Sequence, residues 1–194
     1  GLEGGYSSAE GPFARLAYNE RNFLGTGKSF GTSITKGRNL ISYSLGMAEP
    51  YFLDRNMLLG GSFSINKSGI QKGAFGSGDQ PYKVTSYSTK VRLGYNITND
   101  LYHELFQIFK YENLKANPGG SSVYILEQQG KFTTLSIGHS LTYDKSDNRV
   151  FPKNGYILSA SQEYAGLGGD VKFLKHEVDA SCYKSFFENE YTIK

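Results

Sequence analysis

Tryptophan is absent from this 194-residue chain, cysteine occurs once and proline only five times. A single cysteine, Cys182, excludes an intrachain disulfide framework and reads as a small side chain on a strand face. Pro50, Pro81, Pro118 and Pro152 fall at breaks between patterned segments and Pro12 opens one, so no ladder hydrogen bond is lost to proline. No apolar run approaches the roughly 18 residues of a transmembrane helix. The formal net charge is only +3, and no Lys/Arg cluster stands out, which argues against nucleic acid as a partner. No signal peptide opens the chain, so its N-terminus is expected to be processed or cut from a longer protein.

What is abundant is glycine, at 24 residues, with 15 tyrosines and 13 phenylalanines. With Ser and Thr, this mixture suits strands joined by tight turns and disfavours helices. The strand period is explicit. Tyr87, Thr89, Val91, Leu93 and Tyr95 fall on one face, against Ser86, Ser88, Lys90, Arg92 and Gly94 on the other. Leu135, Ile137, Leu141 and Tyr143 likewise oppose Thr134, Ser136, Gly138, Ser140 and Thr142; Ile41, Tyr43, Leu45 and Met47 oppose Ser42, Ser44, Gly46 and Ala48. Two all-β architectures share this alternation, a soluble sandwich and a transmembrane barrel. The small Ser/Thr/Gly face fits the concave inside of a barrel, where side chains converge. Segment lengths of about 9–11 residues fit a tilted membrane-crossing strand, whereas ordinary strands average about 5–6.

Ten strands are expected, near residues 1–8, 12–20, 28–37, 39–48, 57–67, 83–96, 101–112, 131–144, 155–164 and 171–184, with an eleventh starting near Tyr191. The connections alternate in character. Lys67–Tyr82 and Asn113–Gly130 are long, polar and glycine-rich and belong to one set, with Ala9–Gly11, Gly37–Arg38 and Ala165–Asp170. Outer-membrane barrels let outer loops grow and keep periplasmic turns tight. The other set, which includes Glu20–Lys28, Glu49–Asn56, Ile97–Asp100, Lys145–Asn154 and Ser185–Glu190, is therefore assigned to the periplasm. Aromatics gather near strand ends, as an interfacial girdle would require: Phe23, Tyr51, Phe52, Tyr82, Tyr102, Tyr143, Phe151, Tyr156, Phe186 and Phe187.

Three clusters in the periplasmic set combine turn formers with an apolar anchor. They are Asn22-Phe23-Leu24-Gly25-Thr26-Gly27, then Pro50-Tyr51-Phe52-Leu53-Asp54-Arg55, then Asp147-Asn148-Arg149-Val150-Phe151-Pro152-Lys153-Asn154-Gly155. In this order and spacing the chain resembles the barrel of the outer-membrane protein assembly factors, in the outer-membrane insertase (bacterial surface antigen) superfamily. Tyr164-Ala165-Gly166-Leu167-Gly168-Gly169-Asp170 looks like the alphaproteobacterial version. The resemblance implies a sixteen-stranded antiparallel transmembrane β-barrel preceded by periplasmic POTRA modules. Residues 1–194 would be the N-terminal part of that barrel, about ten to eleven strands, with the POTRA modules, the final strands and the inward-folded sixth loop outside the sequence.

The resemblance further implies folding and insertion of β-barrel proteins into the bacterial outer membrane, with no cofactor. Its partners would be unfolded outer-membrane protein clients, assembly-complex lipoproteins and outer-membrane lipid. Clients would enter at a lateral seam where the first and last strands part, and the first strand matches Gly1, Leu2, Glu3, Gly4, Gly5, Tyr6, Ser7 and Ser8. Glycine inside a strand weakens pairing, which agrees with a seam, although a frayed terminus beside a linker would read alike. A related barrel that translocates a protein substrate, of the two-partner secretion or autotransporter assembly type, is the alternative. An outer-membrane enzyme is disfavoured. His103, His139 and His176 lie in strand bodies with no Ser-His-Asp arrangement and no metal-ligand spacing, although His139 sits oddly on an apolar face. Asp147 with Arg149, and Asp54 with Arg55, read as ion pairs or solvated residues with structural roles in their turns.

Overall fold

The computed structural model describes residues 1–7, 11–69, 82–116, 123–186 and 191–193. They form one antiparallel sheet of eleven strands in which each strand is bonded to the next in sequence. The order is β1 (Leu2–Ser7), β2 (Gly11–Glu20), β3 (Ser29–Gly37), β4 (Leu40–Glu49), β5 (Met57–Ser68), β6 (Tyr82–Asn96), β7 (Leu101–Ala116), β8 (Gly130–Asp144), β9 (Gly155–Gly169), β10 (Phe173–Phe186) and β11 (Tyr191–Ile193). A five-residue helix, α1 (Val123–Glu127), lies in the connection between β7 and β8.

Register sorts the side chains into two faces, because residues directly opposite share a face. One row runs Leu2, Leu16, Ile34, Tyr43, Ile65, Tyr87 and Tyr111 across β1 to β7. The next row on the other face runs Ser33, Ser44, Ser64, Ser88, Lys110 and Thr134 across β3 to β8. Hydroxyls link neighbours on this polar face, with Ser33 Oγ 2.7 Å from Ser44 Oγ and Ser42 Oγ donating to Asn66 Oδ1 at 2.6 Å.

The apolar face decides between sandwich and barrel. Among the described residues Ala165 is the one buried hydrophobic side chain, while Leu45, Met47, Phe63, Val91, Phe109, Ile137 and Leu158 are all exposed. In a sandwich these residues would be sealed against a second sheet. Here they make a continuous outer surface, and the stretch from Tyr87 to Tyr95 on β6, at about 3.3 Å per residue, covers about 26 Å. That matches the apolar band of a transmembrane barrel. The polar face is the inner one.

All ten expected strands and the eleventh are present. The expected break at Ala165–Asp170 is not there, and β9 continues to Gly169. The register shifts between Thr134 and Ser136, forming a bulge, and Gly166, Gly168 and Gly169 take positive φ of 146°, 154° and 98° opposite it. Glycines that suggest a loop instead let the strand bend. β7 likewise runs past Glu112 to Ala116. Two of the expected girdle aromatics, Tyr82 and Tyr102, share the inner face with Arg92 and Glu104. Tyr102 folds inward because Gly94 leaves room for its ring. Ser8, Phe187 and most of the two long connections lie outside the described residues.

Candidate functional site

The first strand, Leu2–Ser7, pairs among the described residues with β2 alone. Gly1 and Ala17 exchange both backbone hydrogen bonds, N–H to carbonyl at 2.5 and 2.9 Å. Narrow and wide pairs alternate along an antiparallel ladder. The bonds to β2 therefore run through Gly1, Glu3, Gly5 and Ser7. The N–H and C=O groups of Leu2, Gly4 and Tyr6 point the other way, to the sheet edge, and have no partner strand among the described residues.

Side chains hold this strand lightly. The Phe13 ring lies across Gly5, so a Cβ there would sit 2.7 Å from the ring, whereas one on Gly4 would meet nothing nearer than 3.8 Å. Such covering of an edge glycine by an aromatic neighbour replaces the contact glycine cannot make. Arg15 and Glu3 form a loose exposed pair at 3.8 Å. Leu2 and Tyr6 are 80% and 77% exposed on the apolar face.

The three motif clusters occupy three of the four described short connections at one end of the sheet. Asn22 Oδ1 accepts from the Gly27 N–H at 2.7 Å, and the Phe23 ring stacks on Phe30 with centroids 4.7 Å apart. Phe23–Gly25 is a single 3-10 turn with Leu24 at φ 54°, while Gly25 and Gly27 take φ of 74° and 73°. The connection after Pro50 repeats this. Tyr51 precedes the 3-10 turn Phe52–Asp54, and Leu53 sits at φ 57°. Both leucines project, 83% and 68% exposed.

The third cluster is a bonded loop. Asp147 accepts the N–H groups of Lys153 and Asn154 at 2.9 and 3.1 Å. Asn148 Oδ1 accepts from Val150 and Phe151 at 2.8 and 3.0 Å. The N–H groups of Asn154 and Lys153 hold the Asp147 carboxyl below the usual carboxylate range. Arg149 does not pair with Asp147. It reaches Asp144 at 3.6 Å and donates to the Asn99 carbonyl at 2.7 Å, tying this loop to the β6–β7 turn. Lys145 bonds Asp100 across the same gap, which raises its pKa. Asp54 and Arg55 likewise form no ion pair with each other. Phe151 and Pro152 lie at the rim of the loop, and Gly155 takes φ 108° where the chain enters β9.

The sequence reading missed the inner-wall charges. Glu104 sits between Lys90 and Arg92, 3.6 Å from each, and Lys90 lies 4.6 Å over the Phe106 ring. Lys90 and Arg92 on β6 are far in sequence from Glu104 and Phe106 on β7, and only the strand register brings the two sets together.

Comparison with known proteins places this geometry. Residues 22–193 match the Omp85 superfamily domain. The outer membrane protein assembly factor BamA of Neorickettsia risticii is 26% identical over 188 residues, covering 96% of this chain. A sorting and assembly machinery component 50 homolog of Xenopus tropicalis is 35% identical over 65 residues, 33% of this chain and 14% of the relative. The crystal structure of BamA from Haemophilus ducreyi lacking POTRA domains 1–3 superposes with a TM-score of 0.74 at 19% identity, over 98% of this chain and 38% of that one. The chain spans about a quarter of the length of the BamA relative, 24%.

Proposed function

The chain belongs to the Omp85 superfamily, and on that premise we propose that it forms the opening strands of a larger barrel that folds other β-barrel proteins into the bacterial outer membrane. The name of the BamA relative and the superposition on a BamA barrel support this reading. The short connections face the periplasm and the long ones the outside. POTRA modules and further strands belong to the rest of the protein.

One observation carries the mechanism: the outward row of backbone groups at Leu2, Gly4 and Tyr6, which meets no partner strand among the described residues. An unpaired strand edge in lipid is costly, because hydrocarbon offers no hydrogen bonds. In the closed state the last strand covers it. When the seam parts, an unfolded client strand pairs there by β-augmentation and brings the next hairpin with it. The two central glycines of β1 keep the closed seam weak. No cofactor enters the scheme, and lipoproteins of the assembly complex act from the periplasmic side.

Gly4→Pro tests it. Proline removes one edge N–H, while the ladder to β2, which runs through Glu3 and Gly5, stays complete. The variant of the full-length protein is expected to fold, judged by heat-modifiable gel mobility, and to lose client assembly in proteoliposomes. Normal assembly by a folded variant would remove the seam from the mechanism.

A further inference from the structure

No run of basic residues occurs in the chain, yet register gathers four lysines on the outer face. Lys67, Thr85, Asn113 and Lys131 stand side by side in one row across β5 to β8. Lys83 stands directly opposite Lys115 in the next row toward the long connections. All four lysines are exposed, and among the described residues none is in an ion pair. Glu112, the acid nearest Lys115 in sequence, belongs to the inner face and pairs with Lys110 at 2.9 Å. By register, the acids on the outer face of β2 to β8 are Glu20 and Glu49, both beside short connections at the opposite end of the sheet. Asp170, after β9, accepts the Thr133 N–H at 2.8 Å. The segments 70–81 and 117–122 add one lysine and one aspartate, and so no net charge.

Two lysines directly opposite in an antiparallel pair repel each other and destabilise it. An anion between their heads removes that cost. Depth identifies where the anion comes from. The rings of Tyr87 and Tyr111, with centroids 6.1 Å apart, stand in the row next to Thr85 and Asn113, where the apolar band ends. The first lysine row lies two residues further, about 7 Å along the strand. Lipid phosphates lie just outside the hydrocarbon, at that level. The second row is within reach of a lysine stem. A recess of about 470 Å³ is lined by these four lysines, with Asn113 and the two tyrosines. It is cationic toward water and aromatic toward hydrocarbon, which is the complement of a phosphate headgroup with its chains descending along the wall.

We propose that this recess binds the phosphate headgroup of an anionic lipid in the leaflet at the long-connection end. Lys67, Lys83, Lys115 and Lys131 hold the phosphate, and the acyl chains run beside Tyr87 and Tyr111. The site lies on β5 to β8 and does not depend on the β1 edge or on the insertion mechanism.

The test uses the full-length protein in mixed vesicles of palmitoyl-oleoyl phosphatidylethanolamine and phosphatidylglycerol. The protein is extracted in mild detergent and weighed by native mass spectrometry. The wild type is expected to retain phosphatidylglycerol in preference to phosphatidylethanolamine. Lys83→Gln with Lys115→Gln should lower that preference by about fivefold for each lysine removed. Lys83→Arg with Lys115→Arg keeps the charges and the preference. Lys28→Gln with Lys110→Gln removes the same charge elsewhere and also keeps the preference. Heat-modifiable mobility registers folding in each case. Should the first pair fail to fold, Lys67→Gln with Lys131→Gln, on separate strands, carries the same expectation. An unchanged preference in a folded glutamine pair of the recess overturns the proposal. So does an equal loss in the Lys28 and Lys110 pair, which would assign the preference to net charge.

Discussion

Leu24 and Leu53 are held in the left-handed region with their side chains in the open. That conformation costs a non-glycine residue about 1–2 kcal/mol, and neither leucine recovers it by burial. Leu24→Gly is therefore expected to stabilise the fold by about 1 kcal/mol, read as a higher urea midpoint in detergent. A lower midpoint would mean that the leucine packs on something in the membrane. The letters Phe-Leu in both turns are visible in the sequence. The strain is not, because leucine so rarely adopts it. Asp147 has a pH signature. Its folded pKa is depressed, so the loop it closes is intact above the ordinary carboxylate value, about 4, and opens as pH falls through the lower folded value. Lys145 is raised, so its bond to Asp100 persists through neutral pH and is lost only as alkali passes the raised value. Amide exchange at Asn154, normalised for intrinsic rate, should lose protection on the acid side only.

At the scale of the strand, most of the architecture is legible because a pleat of period two repeats in the letters. Tyr87 to Tyr95 alternates against Ser86 to Gly94, and the register keeps those two sets on separate faces. Where legibility fails, glycine is the cause. Gly166 to Gly169 reads as a loop and is a bulged strand end. α1 arises in a connection whose composition predicts only polar coil. The first strand is legible as glycine-rich, but which of its backbone groups are free follows only from the pairing of Gly1 with Ala17. Its two glycines are not equivalent. Gly5→Val would drive a side chain into the Phe13 ring and unseat β1, whereas Gly4→Val enters open space and raises strand propensity. Exchange at the Ala17 amide should quicken in the first variant and slow in the second, and a tighter β1 should also slow client insertion.

At the scale of the whole molecule, the defining property is an apolar surface with almost nothing buried beneath it among the described residues. Stability must therefore come from lipid outside and from hydrogen bonds and charge pairs within the wall. Leu45 sits centrally on the outer face of β4, between Thr32 and Phe63. Leu45→Arg is expected to cost about 2–4 kcal/mol in urea unfolding from phospholipid vesicles. The same change at Ser44, on the inner face, should cost far less, and equal costs would contradict the assignment of faces. The exposed groups of Leu2, Gly4 and Tyr6 recur at every second residue, which sets a rhythm for whatever arrives. A newcomer can settle in steps of two residues, never one, since a single-step slip would turn its oily side chains toward water. On the proposed seam the rim would screen polypeptides by cadence, indifferent to spelling, so that one ribbon would greet many unrelated cargoes.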